Sequence, residues 1–195
     1  QRGTGAVALA NSAPVVPING RQLEMFFTPQ GLGLESLETV VGQALLRELG
    51  AANPHASPYK IRRIAYEMLH SCATLPAKRQ PSELFKAVPG GKEPFKGTPF
   101  WMSKEQLESF SYRRMGLPIR SVDTARAVGR WDVYRIAPKA GETPLCYKAI
   151  VASTVEREMA RVGGAEQVLV PNRAQWTTAE KVGELVFVEE KINEQ

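Results

Sequence analysis

Leu34, Leu37, Val41, Leu45 and Leu49 recur at intervals of three and four residues, which places them along one face of a helix over 33–49. Gly50 and the Ala-Ala-Asn-Pro that follows mark its end. A second helix is predicted to open at Ser57-Pro58, with the serine as N-cap and the proline at the first helical position. Ile61, Ile64, Ala65, Met68 and Leu69 make its apolar stripe, while Lys60, Arg62 and Arg63 ride outside it or at its edges.

Residues 73–82, rich in proline and charge, form a connector and the best internal boundary. Beyond it the pattern changes to short strands and turns. Residues 83–88 read as a strand stopped by Pro89-Gly90-Gly91, and 98–102 as a short apolar segment. Ser103 with Gln106 three residues on makes a capping box, so a helix is expected from 104 to 112. Alternation predicts strands over 131–137 and 145–152. The charged run Thr-Val-Glu-Arg-Glu-Met-Ala-Arg-Val reads as helical, and strands over 167–171 and 184–189 complete the set. Strands spaced this irregularly argue for an α+β fold and against a doubly wound sheet. The chain thus divides into a leader over 1–20, a small helical N-terminal region over 21–80 and a mixed β core over 81–195.

The length of 195 residues suits one large domain, or one domain with an appended segment, and 43% hydrophobic content supplies a core. No apolar run reaches the roughly twenty residues that a membrane span requires. The Gly/Ala/Ser/Pro-rich leader, which starts at Gln1, suits a C-terminal module carried by a larger polypeptide. A net charge of +5 favours an anionic partner, although only residues 60–63, 77–79 and 112–114 cluster basic side chains. Cys72 and Cys146 lie far apart and leave open whether they pair. With His55 and His70 as the only histidines, no zinc-ligand spacing exists and no metal is expected.

Phosphate loops, nucleophile elbows and paired-cysteine fingers are absent from the sequence. What remains are arginines, glycines and one polar pair. Arg113 and Arg114 precede the break Met115-Gly-Leu-Pro118, where a guanidinium can fork onto a pyrophosphate or satisfy a helix C-terminus. Gly163-Gly164 permits a tight turn or the close approach of a ligand. Glu166 and Gln167, at the start of a strand, must point to opposite faces, so one of them meets a pocket or a neighbouring sheet. An amide there can hold a sugar hydroxyl or a carboxamide, and a carboxylate can stabilise positive charge developing on a sugar.

The order of Gly97-Thr-Pro-Phe-Trp-Met-Ser103, Tyr112-Arg-Arg-Met-Gly-Leu-Pro118, Trp131-Asp-Val-Tyr-Arg-Ile136, Gly163-Gly-Ala-Glu-Gln-Val-Leu-Val-Pro171 and the 182–189 strand carries a resemblance. From Gly97 to Glu189 the chain resembles the NAD-glycohydrolase toxin domains of the tuberculosis necrotizing toxin type. That resemblance implies an ADP-ribosyltransferase-like β core. It implies Gln167 as the catalytic glutamine, Arg113 or Arg114 as the arginine on the phosphates, and Gly163 and Gly164 as pocket glycines. Lys86 stands where ordinary ADP-ribosyltransferases present an arginine, and Ser103 or Ser153 can stand for their serine. No histidine follows His70, and Val168 replaces the aromatic residue expected after the glutamine.

The leading expectation is therefore an NAD-handling effector or toxin domain, secreted or delivered into a target cell within a larger polypeptide. Gln167 or Glu166 would support nicotinamide departure, with water, a protein or a nucleic acid accepting the ADP-ribose. Such a domain implies an immunity protein in its producer. Two other classes stand beside it: a basic nuclease toxin using His55 or His70, and a non-enzymatic module that binds an acidic partner.

Overall fold

A computed structural model describes residues 28–156 and 159–191. The leader over 1–20 and the start of the helical region lie outside them. The first apolar stripe is delivered in two pieces, a 3-10 turn over Leu34–Glu38 and then helix α1 over Val40–Ala52. Thr39 separates them: its hydroxyl accepts the Gly42 N–H at 3.1 Å and so starts a new helix. Gly50 does not stop α1, which runs on to Asn53, where the side-chain amide donates to the Leu49 carbonyl at 2.9 Å. Helix α2, Pro58–His70, has the expected Ser57 cap, the hydroxyl accepting the Lys60 N–H at 3.2 Å.

The described strands are β1 (Thr28–Pro29), β2 (Ala77–Arg79), β3 (Leu84–Pro89), β4 (Phe100–Trp101), β5 (Arg130–Ile136), β6 (Cys146–Ile150), β7 (Thr154–Glu156), β8 (Met159–Arg161), β9 (Glu166–Leu169) and β10 (Glu180–Val186). They pair antiparallel in three groups: β2-β6-β9-β4, β10-β5-β3 and β1-β7-β8. The protein is a mixed α+β fold built on antiparallel sheets.

Side-chain alternation along these strands explains the layering. Tyr147, Ala149 and Leu169 on one face of the four-stranded sheet pack with Leu45, Leu49, Ala65, Met68 and Leu69 of α1 and α2. The helical region thus shares a core with the sheet. The opposite face turns Cys146, Val168, Val170 and Trp101 toward Leu84 and Ile136 of the three-stranded sheet. Phe85, Ala87 and Val133, on the far side of that second sheet, pack with Val122 and Ala125. These last two belong to α4, Ile119–Val128, which follows the short helix α3, Lys104–Glu108.

Four sequence expectations change. Residues 77–79, read as connector, pair with β6 as an edge strand. The helix expected to reach residue 112 ends at Glu108, because the Ser109 N–H turns back to Gln106 and Leu107. Helix α4 was not anticipated: its apolar positions are few, and Pro118 caps it without a side-chain bond. The charged run after Ser153 is a hairpin, β7–β8, rather than a helix. Its inner face carries Glu156 and Arg161, which pair at 3.0 Å with side chains 8% and 1% exposed. A helix would have left those charges in solvent. The hairpin instead folds them onto α4, whose Ile119 N–H donates to the same Glu156 oxygen at 2.8 Å.

Candidate functional site

Strand β4 changes partner in mid-course. Phe100 and Trp101 stand opposite Leu169 and Val168 of β9, whereas Met102 exchanges two 2.8 Å backbone bonds with Phe85 of β3. The two sheets therefore part just beyond Trp101, at the start of β9. Continuing the β4–β9 register would set Ser103 opposite Glu166. Instead the Glu166 N–H donates to the Gln106 side-chain oxygen at 2.9 Å. Only half of the capping box forms: Ser103 accepts the Gln106 N–H at 3.1 Å, but the glutamine side chain reaches across to β9.

Lys86, one residue past Phe85, donates to the Phe100 carbonyl at 2.9 Å at the same fork. Burial pushes its amine down to about 8, because a charged ammonium is costly away from water. Ser103, which follows Met102 in sequence, is buried as the α3 cap.

Arg114 holds the other rim. Its carbonyl accepts the Ala165 N–H at 3.2 Å, and its guanidinium donates to the Gly164 carbonyl at 3.2 Å while the residue stays exposed. Arg113 turns inward and is 7% exposed. Its N–H, the Tyr112 N–H and the Ser111 hydroxyl all meet the Glu190 carboxylate, at 3.2, 2.9 and 2.8 Å. Gly163 and Gly164 both adopt positive φ, 68° and 95°. A Cβ on Gly163 would lie 2.6 Å from the carbonyl oxygens of Val151 and Ala152, so the turn must press directly on that backbone.

The polar pair divides as alternation requires. Gln167 is 5% exposed and faces the helical layer, where its amide donates to the Ser71 carbonyl at 3.2 Å and the Ser71 hydroxyl at 3.0 Å. It also approaches the Cys72 sulfur at 3.6 Å. Burial pushes the Cys72 thiol up to about 11, against the opposing hydrogen bonds from Ser71 and Gln167, which makes it an inert core thiol. Cys146 is likewise free and buried, on the opposite face of the sheet. Glu166 faces the other way, half-buried, on the side of the fork.

The fold thus gathers Lys86, Ser103, Glu166, Arg114 and Gly164 around one parting of the sheets. Gln167 and Arg113 sit on either side of it, in the core. Gln106 and Glu190 were missed as site-shaping residues. The capping box pointed to Gln106, but nothing in the local pattern showed that its side chain spans to β9.

The histidines are elsewhere. His70 stacks on Tyr66 at 5.0 Å, and its Nδ1 lies 2.8 Å from the Leu32 carbonyl, while His55 is exposed in the α1–α2 connection. A groove of about 450 Å³ between Leu46, Pro54, Pro58 and Ile61 shares no residue with the fork. Among the described residues no group of His, Cys, Asp or Glu is placed to hold a metal ion, and no helix is long and apolar enough to cross a membrane. No family model matches the chain, and neither a curated protein nor a solved structure matches it.

Proposed function

We propose that this domain handles NAD in an ADP-ribosyltransferase-like core, with the fork between the sheets as its cleft. The observation that carries the reading is the bond from Arg114 to the Gly164 carbonyl. It joins the arginine segment and the Gly-Gly strand mouth, the two stretches on which the sequence resemblance rests. In this reading the exposed Arg114 guanidinium takes the pyrophosphate, for which its planar fork is suited. Glu166 stabilises positive charge on the ribose as the glycosidic C–N bond breaks and nicotinamide leaves with the bonding electrons. Water then adds its oxygen to the ribose carbon and gives up a proton, or a protein or nucleic-acid nucleophile does the same. Lys86 and Ser103, bonded to the Phe100 carbonyl and the Gln106 N–H, support the cleft from beneath. Gln167 has a supporting role, fixing the strand mouth to α2.

The same reading makes the domain a toxin or effector module of a larger secreted polypeptide, neutralised in its producer by a partner protein. A nuclease built on His70 is less well supported, since that ring is committed to Leu32 and Tyr66. The basic-surface reading also loses force. Arg126, Arg130, Arg135 and Lys181 all face carboxylates within 4 Å.

The test is nicotinamide release from NAD by the purified protein, together with a search for ADP-ribosylated products. Glu166→Ala is expected to cut either activity by about 100-fold or more with little change in stability. Intact NAD and no modified product with the wild-type chain would remove this reading.

A further inference from the structure

Strand β10 pairs with β5 on one side only among the described residues. The Phe187 N–H donates to the Gly129 carbonyl, and Leu185 stands opposite Trp131. These odd-numbered residues therefore turn their backbone groups toward β5. By alternation Glu184, Val186 and Val188 turn N–H and C=O outward, away from the sheet. The side chains alternate as well. Leu185 and Phe187 pack into the core, while Val186 and Val188 remain 80% and 67% exposed.

Natural sheets protect such an edge with lysine, proline or a bulge. Here the protection covers the first half of the strand alone. Lys181 sits there, bonded to Glu184 and Asp132, and the register shifts between Lys181 and Gly183. The stretch Glu184-Leu-Val-Phe-Val188 carries no lysine, proline or irregularity.

We propose that this half-edge seats the same half-edge of a second copy, so that two chains join antiparallel across a twofold axis at Val186. Self-pairing follows from the register. Centring on Val186 sets Val186 against its own copy and Glu184 against Val188, all with outward backbone groups and no like charges opposed. Centring on Glu184 opposes two carboxylates, and centring on Phe187 opposes Glu184 and Glu190. Centring on Leu185 runs Val188 into the irregularity at Val182. The Val186 register avoids all three conflicts.

The experiment is analytical ultracentrifugation of the whole chain from roughly 1 μM to 1 mM, with Val186→Lys and Val186→Cys variants. A concentration-dependent dimer is expected for the wild type, weakened at least tenfold by Val186→Lys, with an unchanged melting temperature at concentrations where both proteins are monomeric. Cross-strand partners in a hydrogen-bonded pair lie about 5.5 Å apart between Cα atoms, within the span of a disulfide. Oxidised Val186→Cys should therefore form a covalent dimer in higher yield than Val40→Cys, a control at another exposed position. The buried Cys72 and Cys146 do not compete. A chain monomeric throughout, whose Val186→Cys cross-links no better than the control, overturns the proposal and leaves the edge to a foreign strand. A dimer indifferent to Val186→Lys places the interface elsewhere and overturns it equally.

Discussion

Gln167 donates its single buried amide to both oxygens that Ser71 offers, the carbonyl at 3.2 Å and the hydroxyl at 3.0 Å. The pair ties the mouth of β9 to the end of α2, and so binds the helical layer to the sheet from which Glu166 projects. An amide spent in this way stabilises the fold before it can serve a ligand. Gln167→Ala is expected to cost about 1–3 kcal/mol, through lost hydrogen bonds and a small cavity. Ser71→Ala should cost less, since the carbonyl acceptor survives. Denaturant titration of both variants checks this, and an unchanged midpoint for Gln167→Ala would contradict it.

The adjacent glycines should respond unequally to alanine. Both hold positive φ, worth roughly 1–2 kcal/mol against any L side chain. Only Gly163 also faces backbone, with two carbonyl oxygens 2.6 Å from the site of a Cβ. The first atoms met at Gly164 are those of the Arg114 guanidinium, at 3.8 Å. Gly164→Ala should lower stability by about 1 kcal/mol, and Gly163→Ala by several. Equal melting temperatures for the two variants would show that the turn relaxes freely.

How much of this was legible in the sequence depended on how local the controlling force is. The Ser57-Pro58 helix start was readable because cap and proline act within one turn. The strands over 83–88 and 131–137 were readable because both alternate against cores. The β7–β8 hairpin was not, because Glu156 and Arg161 look like solvent charges until a partner 37 residues away in sequence, Ile119, supplies the third member. Likewise alternation required Glu166 and Gln167 to diverge, but only the packing of α2 on the sheet decides which one is buried. The fork itself is a pairing switch between Trp101 and Met102, a tertiary event with no local mark.

Lys86 gives a pH signature. Its folded value of about 8 lies below the ordinary 10.5, so the unfolded chain binds the proton more tightly between those limits. Stability should therefore rise as pH climbs from about 8 to about 10.5, by a few kcal/mol, and this term should be flat below 8. Lys86→Met removes the titrating group and should flatten that rise. Chemical denaturation of both proteins across pH 7–10.5 makes the comparison. An identical slope in the variant would assign the effect to other groups.

The buried and exposed ion pairs offer the sharpest contrast in magnitude. Glu156 and Arg161 meet at 3.0 Å inside the hairpin, and burial pulls the arginine down against the pull of its partner. Arg126 and Glu189 meet at 2.8 Å on the surface. The shorter pair should matter less, because water and salt screen it while nothing screens the other. Glu156→Gln still offers an acceptor to the Ile119 N–H but withdraws the charge that faces Arg161, and a loss of about 3–5 kcal/mol is expected. Arg126→Ala should cost less than about 1 kcal/mol, and that loss should shrink further in high salt. Replacing Glu156 and Arg161 together by methionine removes both desolvated charges and should recover part of what Glu156→Gln loses, the remainder reporting the abandoned Ile119 N–H. Denaturant midpoints at low and high salt test all three at once. Comparable losses for Glu156→Gln and Arg126→Ala would mean that the hairpin interior is open to water and that the pair does not hold it to α4.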